Sequence, residues 1–163
     1  MTCQQPVLWI TAFLGFALSV QGYPTHYCPR GLVAYEEKCY KMLHVATTWP
    51  EAKILCETMG AHLVEINDPM KESFLFYRVL NFEPDKARSA LWIGASDMMS
   101  ENDWVWMTSR RHMTYRNWKL RQSTAFADNH GHCLAMQTLP EFAWLQVDCS
   151  ERLGFVCEFD EPY

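Results

Sequence analysis

The feature that most constrains the fold of this chain is its set of cysteines. Seven are present among 163 residues, and the first, Cys3, precedes an apolar run from Val7 to Val20. This run is short for a bilayer span, and Val20-Gln21-Gly22 resembles a signal-peptidase cleavage site. We therefore expect residues 1–22 to be removed as a signal peptide, a transmembrane anchor being the alternative. Residues 23–163 are expected to form a single secreted domain.

Removal of Cys3 leaves an even number of cysteines. The remaining six are Cys28, Cys39, Cys56, Cys133, Cys149 and Cys157. An even count in an oxidising compartment indicates a disulfide framework, and no Cys-x-x-Cys pair points to a metal site instead. Because six cysteines allow 15 pairings, the spacing alone does not select one. Since none is left over, we expect a monomer or a non-covalent oligomer.

The stretch from Leu91 to Met107 carries a large share of the apolar area. Two short apolar runs, Leu91–Ala95 and Trp104–Met107, flank a polar turn. Bulky residues that nearly alternate along a run are typical of half-buried strands. Burial of one large side chain contributes roughly 1.5–3 kcal/mol, so we expect these runs at the centre of a β-rich core.

Two helices are predicted before this stretch. Thr48-Trp49-Pro50-Glu51 matches a capping box with proline in the first turn, and Gly60 ends that helix after about Met59. Asp68-Pro69 opens the second helix, which finishes before Pro84. The side chains expected to point inward are Ala52, Leu55, Cys56 and Met59 in the first helix, and Met70, Phe74, Leu75 and Tyr77 in the second.

Short strands are expected around these helices and toward the end of the chain. They are Val33–Tyr35, Cys39–Met42, Ala61–Ile66, His132–Gln137, Phe142–Val147 and Gly154–Phe159. Met113, Tyr115 and Trp118 are expected to pack inward. Lys119 to Gly131 shows no clear period, and long irregular loops in compact domains are usually functional or disordered.

Taken in order, these residues resemble the C-type lectin-like domain. The matching pieces are Cys28-Pro29-x-Gly31, Cys39-Tyr40, the capped helix with Cys56, Gly60-Ala61-His62-Leu63, Trp92-Ile93-Gly94, Trp104-Val105-Trp106, Asn117-Trp118, Cys133, Cys149 and Phe155-Val156-Cys157-Glu158. Within the family, the segments Trp92–Asp97 and Arg110–Trp118 look most like the perlucin-like secreted lectins of molluscs. The resemblance implies an α+β fold in which two helices pack on small antiparallel sheets beside a long loop region. It also implies three disulfides, Cys28–Cys39, Cys56–Cys157 and Cys133–Cys149.

The resemblance also raises the question of calcium, because sugar-binding members hold this ion with oxygens of the long loop and the following strand. The corresponding positions here are Gln122, Thr124, Gly131, Leu145 and Gln146, with Ser123 in place of the loop proline. Both loop carboxylates are missing, and Leu145 has no side-chain oxygen. We therefore expect no metal site of the usual kind and no cofactor, with at most weak Ca²⁺ binding if Asp128 and Asn129 shift into the site.

A basic segment suggests a different ligand. Between Val105 and Ala127 there is no Asp or Glu, whereas Arg110, Arg111, Arg116, Lys119 and Arg121 all occur there, in a chain of net charge −5. A solvated surface kept for solubility is the simpler interpretation. The functional hypothesis is an anionic ligand, such as a sulfated glycan, a phosphorylated surface or a matrix polymer, held by arginine forks. The candidate ligand-binding residues are Arg116, Lys119, Arg121, Gln122, Asp128 and Asn129.

Other functional classes have less support in the sequence. The acidic balance argues against a general nucleic-acid binder. His130-Gly131-His132 with Asp128 offers Zn²⁺ ligands, although a polar loop is the simpler interpretation. There is no nucleophile–base motif and no phosphate-binding glycine loop, so we expect no catalytic residue and no enzyme activity. Three roles stay open: recognition of glycans or anionic polymers, a structural role in an extracellular or shell matrix, and binding of another protein.

Overall fold

The computed structural model describes residues 28–82, 90–118, 131–137 and 142–160. The predicted signal peptide and residues 119–130 of the predicted loop therefore lie outside the described residues. The elements of the described part are β1 (Val33–Tyr35), β2 (Lys38–Thr47), α1 (Trp49–Thr58), β3 (His62–Leu63), α2 (Pro69–Phe82), β4 (Ala90–Ser96), β5 (Val105–Trp106), β6 (Cys133–Gln137), β7 (Ala143–Val147) and β8 (Leu153–Phe159). None of the helices in these ranges is long and apolar enough to cross a membrane.

The strands are joined into one sheet in the order β1-β2-β8-β4-β6-β7, with β3 paired to β8 and β5 paired to β4. Neighbouring strands are antiparallel except β4 and β8, which run parallel at Leu91↔Gly154 and Trp92↔Phe155. The expected α+β architecture with two helices is present. Its small antiparallel sheets are continuous with one another, because β8 bonds to β2 on one side and to β4 on the other.

Both faces of the central strands are buried. Trp92 and Phe155 belong to a core cluster that includes side chains of α1. Their chain neighbours Ile93 and Val156 belong to a second cluster that includes Leu75 of α2. Since successive side chains of a strand point to opposite faces, β4 and β8 separate the two clusters. The prediction that the stretch around Trp92 lies in the core is confirmed.

Three disulfides join the elements, in the pairs that the resemblance implied. Cys28–Cys39 closes a separation of 11 residues at the N-terminal hairpin, and Cys133–Cys149 closes 16 residues across β6 and the turn after β7. Cys56–Cys157 spans 101 residues and connects α1 to β8.

The capping box at the start of α1 forms as predicted. The backbone N–H of Glu51 donates to Oγ1 of Thr48 at 3.4 Å, and the backbone N–H of Thr48 donates to Oε2 of Glu51 at 3.0 Å. After the helix, Gly60 has a φ of 74°, the left-handed conformation that glycine adopts without steric cost. The local sequence therefore sets both ends of α1.

Three side chains expected to point inward from the helices do not. Leu55, Met70 and Tyr77 are 41%, 71% and 60% exposed. The buried residues of α1 are Trp49, Ala52 and Cys56, a stripe that leaves Leu55 at its edge. In α2 the first turn buries Lys71 and Glu72. Lys71 donates to Glu158, and the carboxylate of Glu72 accepts two hydrogen bonds from residues 115 and 117. Because these two residues face the interior, Met70 faces solvent.

The strand predicted over Ala61–Ile66 is shorter in the structure, where β3 covers His62–Leu63 alone. Beyond it the backbone bonds of Val64 go to two different strands. Its N–H donates to the carbonyl of Val156 in β8, and its carbonyl accepts from the N–H of Gly94 in β4. The chain crosses between these strands at Val64, so the ladder with β8 stops there. The strand predicted over Cys39–Met42 is longer, because β2 pairs with β8 as far as Thr47.

Candidate functional site

The predicted basic segment is represented in the described residues by three exposed arginines, Arg110, Arg111 and Arg116. We call residues 110–116 the basic segment. No guanidinium group of the three has an ion-pair partner among the described residues, although Nε of Arg116 donates to the carbonyl of Met113 at 3.4 Å. Within the described part of the chain, no carboxylate is paired with these charges.

A tight turn holds the first two arginines. The N–H of Arg110 donates to the carbonyl of Trp106 at 2.8 Å, and the N–H of Trp106 donates to the carbonyl of Arg111 at 2.9 Å. Arg110 itself has a φ of 58°. Just before it, the backbone N–H of Ser109 donates to the buried carboxylate of Glu65 at 2.8 Å. The turn is thus fixed to the core while its two guanidinium groups stay in solvent.

Alternation along the chain directs Arg116 outward. Its neighbours Tyr115 and Asn117 both donate to the carboxylate of Glu72, at 2.6 Å from the tyrosine hydroxyl and 3.0 Å from the amide nitrogen. The backbone carbonyl of Asn117 also accepts from the N–H of Trp144 at 2.7 Å. Burial, together with the hydrogen bond to Glu72, raises the pKa of Tyr115, so this phenol remains a donor. Because its neighbours are held, Arg116 extends from an anchored backbone.

Two of the positions that correspond to calcium ligands in the family offer no side-chain oxygen. Gly131 is packed against β7, and a Cβ atom there would lie 2.2 Å from the carbonyl carbon of Val147, so no larger side chain fits. Leu145 is fully buried in the core. Gln146 is half-buried and carries an amide. The described members of this set do not fit a Ca²⁺ ion, which takes six to eight oxygen ligands.

The other candidate residues of the loop lie outside the described residues. They are Lys119, Arg121, Gln122, Thr124, Asp128 and Asn129. His130 lies outside as well, so the zinc set suggested with Asp128 is represented by His132 alone.

Sequence reasoning missed a cluster in which His132 meets two carboxylates of another segment. Nδ1 of His132 lies 3.0 Å from Oδ1 of Asp97 and 3.7 Å from Oε2 of Glu101. The side chain of Asp97 is 2% exposed, whereas those of His132 and Glu101 are 44% and 64% exposed. Pairing between β4 and β6 brings them together, because Ser96 and Cys133 are opposite one another and Asp97 and His132 come next. The signal in the sequence was Asp97 directly after a buried strand.

A second group consists of His62, Glu158 and Asp160, and its carboxylates form ion pairs with lysine side chains. Nζ of Lys38 lies 2.6 Å from Oε1 of Glu158 and 2.8 Å from Oδ1 of Asp160, and Nζ of Lys71 lies 2.6 Å from Oε2 of Glu158. Burial alone would lower the pKa of Lys38, but its hydrogen bonds to Asp160 and Glu158 outweigh burial and raise it. Oδ1 of Asp160 also lies 3.2 Å from Nε2 of His62. Because two lysines already neutralise the carboxylates, we interpret this group as a structural ion-pair network.

Comparison with known proteins assigns the fold to a family. The family described as "Lectin C-type domain" matches residues 45–159. The chain is 26% identical over 151 residues to a perlucin-like protein of Mytilus galloprovincialis, which covers 91% of this chain and 94% of that protein. It also superposes on the C-type lectin carbohydrate-recognition domain of the mouse scavenger receptor (TM-score 0.70, 26% identity, 83% of this chain and 98% of that one) and on human lithostathine (TM-score 0.72, 25% identity, 86% and 98%).

Proposed function

Because the chain belongs to the C-type lectin domain family, we propose that it is a secreted, non-catalytic binding protein for glycans or other anionic polymers. The ligand is held by the basic segment and not by a calcium-dependent sugar site of the usual kind. Lys119 and Arg121 extend the positive charge along the sequence, and Gln122, Asp128 and Asn129 supply hydrogen-bonding groups. Family members with this domain are binding modules, which agrees with the absence of a catalytic motif.

The observation that carries this proposal is the contrast between two sets of cations. Lys38 and Lys71 lie against carboxylates, whereas Arg110, Arg111 and Arg116 are exposed on anchored backbone without an ion pair among the described residues. In a chain of net charge −5, exposed arginines without an ion pair among the described residues favour an external anion.

Guanidinium chemistry specifies the class of ligand. A planar fork of N–H donors matches the paired oxygens of sulfate, phosphate or carboxylate. The anchored backbone at Ser109 and at Tyr115–Asn117 reduces the ordering cost of binding, which is a general source of affinity. A sulfated glycan combines such anions with the saccharide chemistry of the family, so we favour this class.

The calcium positions support the same proposal. Gly131 cannot carry a ligand side chain without a clash with Val147, and Leu145 is an apolar residue of the core. Affinity for Ca²⁺ depends on the number of charged oxygen ligands. We therefore expect that chelation of calcium leaves binding of the anionic ligand unchanged.

Heparin affinity chromatography of paired variants tests the proposal. The double variant Arg110→Ala/Arg116→Ala removes two charges of the basic segment and should lower affinity about tenfold, or 1.4 kcal/mol for two exposed groups. The matched control, Arg30→Ala/Arg152→Ala, removes two exposed charges elsewhere and should be retained like the natural chain. Equal loss in both variants would indicate a non-specific charge effect and overturn the proposal. A third variant, Lys119→Ala/Arg121→Ala, tests whether the loop contributes.

A structural role in an extracellular matrix is the second candidate, favoured by the similarity to the perlucin-like protein. Adsorption to mineral or to a matrix polyanion, with no retention of a soluble sulfated oligosaccharide at about physiological ionic strength, would favour it. Binding to a protein partner is the third role, and recovery of one stoichiometric partner would favour that role.

A further inference from the structure

We propose that Asp97, Glu101 and His132 bind a divalent transition-metal ion, with Zn²⁺ as the best fit. The site uses one imidazole nitrogen and two carboxylate oxygens and leaves a fourth position open to solvent. It uses neither the positions expected for calcium nor the basic segment, so it stands independently of the proposed function.

The distances between the donor atoms suit such an ion. Nδ1 of His132 is 3.0 Å from Oδ1 of Asp97 and 3.7 Å from Oε2 of Glu101, and the three ligand atoms lie within 4.8 Å of one another. Zinc bonds to nitrogen and oxygen measure about 2.0–2.2 Å, which places two ligands of a tetrahedral ion about 3.4 Å apart. The two distances from His132 bracket this value, and the Asp97–Glu101 pair lies within 4.8 Å, so the exposed Glu101 side chain supplies the remaining adjustment.

The arrangement is held in place before any ion binds. The second oxygen of Asp97, Oδ2, accepts from the backbone N–H of Asn102 at 2.8 Å, which leaves Oδ1 directed at His132. The hydroxyl of Ser96 donates to the carbonyl of His132 at 2.7 Å, and the N–H of Asp97 donates to the same carbonyl at 3.2 Å. These contacts orient two of the ligands, as partners of metal ligands do in known sites.

A third carboxylate lies on the other side of His132. The pairing Cys133↔Val147 between β6 and β7 continues to place Asp148 opposite His132, as Ser96↔Cys133 places Asp97 opposite it. The imidazole therefore lies against the carboxylates of Asp97 and Glu101, and Asp148 adds a third negative charge on the neighbouring strand, a field that attracts a cation.

The donor set selects the kind of cation. Ca²⁺ and Mg²⁺ prefer oxygen ligands in larger numbers, whereas Zn²⁺ accepts an imidazole with carboxylates in four-coordinate geometry. On binding, the ion takes the place of the proton between Nδ1 of His132 and Asp97. The imidazole binds the ion in its neutral form with its hydrogen on Nε2, and because a doubly protonated imidazole has no free nitrogen for the ion, affinity must weaken at acidic pH.

Calorimetric titration of the untagged, full-length secreted protein with Zn²⁺ tests the inference. We expect one ion per chain, an affinity that weakens as the pH falls, and a loss of affinity of more than about tenfold in His132→Gln and in Asp97→Asn. The matched control is His112→Gln, since His112 is exposed and pairs with the single carboxylate of Asp103 at 2.8 Å. This control should bind Zn²⁺ like the natural chain.

Cobalt supplies a second measurement that does not depend on variant stability. Co²⁺ in the natural chain should give the intense visible absorption of a four-coordinate site, and Zn²⁺ should abolish it while excess Ca²⁺ should not. Three results would overturn the inference: no uptake of either ion, equal uptake in His132→Gln, or displacement by Ca²⁺. The first would mean that His132 serves as an ion-pair partner alone.

Discussion

At the scale of the residue, the carboxylate of Glu158 shows how this fold manages buried charge. Its side chain is 1% exposed and accepts from Nζ of Lys38, from Nζ of Lys71 and from the backbone N–H of Glu65. A buried carboxylate without such partners would cost several kcal/mol. The three donors offset the cost of burying this carboxylate. The charge of Glu158 in turn explains why Lys71 is buried in the first turn of α2, whereas Met70 was expected there.

Replacement of Lys38 by methionine tests this network. Lys38 is 38% exposed and Lys71 still neutralises Glu158, so after allowance for solvent screening we expect a loss of about 1–2 kcal/mol at neutral pH. The pKa of Asp160 is lowered from its ordinary 3.8, since its hydrogen bonds from Lys38 and His62 outweigh burial, so its contribution is present above pH 3.8 and is lost as the pH falls below it. Urea unfolding at neutral and strongly acidic pH measures the difference.

The matched control for that variant is Lys53→Met. Lys53 pairs with Glu57 on the exposed face of α1, and such a pair contributes about 0.5 kcal/mol or less. If Lys38→Met costs no more than this control at neutral pH, or if its cost persists unchanged in acid, the account of the network is wrong.

Single-residue features were predictable where the cause is local. The even set of cysteines and the capping box involve composition or neighbours in sequence, and both were confirmed. The inward turn of Lys71 was not predictable, because its partner Glu158 is 87 residues away. Because Met70 is apolar, it was predicted to point inward from this turn of α2, and this prediction is wrong.

At the scale of the element, Glu72 connects α2 to the basic segment. Its carboxylate is the shared acceptor of Tyr115 and Asn117, so one side chain of a helix orders a stretch that has little regular structure of its own. The exposure of Arg116 depends on this contact, because it lies between the two donors.

The variant Glu72→Ala should therefore loosen the basic segment. Removal of the acceptor leaves two donors without it, and we expect a loss of about 2–3 kcal/mol in the free energy of unfolding. Hydrogen exchange of the amides in residues 113–118 should become faster than in the natural chain. The control Glu57→Ala breaks the exposed pair with Lys53, so it should cost about 0.5 kcal/mol or less and leave this exchange unchanged. Unchanged exchange in Glu72→Ala would contradict the proposed anchoring.

The sequence predicted nearly all of the helices and strands, but the ends of β2 and β3 differ from the prediction. Helix signals lie within a few residues, so α1 and α2 were found with their caps. The end of β3 depends on Val64 bonding to two strands distant in sequence, which no local pattern encodes. For the candidate site, the charges of its residues predicted the basic segment. The contact between Asp97 and His132 could not be predicted, because it depends on the register of β4 and β6.

At the scale of the whole molecule, β8 and the disulfides hold the fold together. β8 pairs with β2, β3 and β4, and Cys157 within it is bonded to Cys56 of α1. The last strand of the domain is thus tied to its first helix. Closure of a long loop restricts the unfolded chain more than closure of a short one.

The order of disulfide contributions follows from loop length. Cys56→Ala/Cys157→Ala opens a separation of 101 residues and should cost about 5 kcal/mol, whereas Cys28→Ala/Cys39→Ala opens 11 residues and should cost about 3 kcal/mol. Thermal unfolding of the purified variants checks the order. A larger loss from the short loop would show that strain or local packing, and not chain entropy, dominates.

The most direct test of the central claim is calorimetric binding of a sulfated glycan and of its desulfated form, each with Ca²⁺ and with EDTA. The sulfated glycan should bind with the same affinity in both conditions, and the desulfated glycan should not bind. Arg110→Ala/Arg116→Ala should weaken binding of the sulfated glycan about tenfold. Binding that disappears with EDTA, or recognition of the desulfated glycan that requires Ca²⁺, would contradict the central claim.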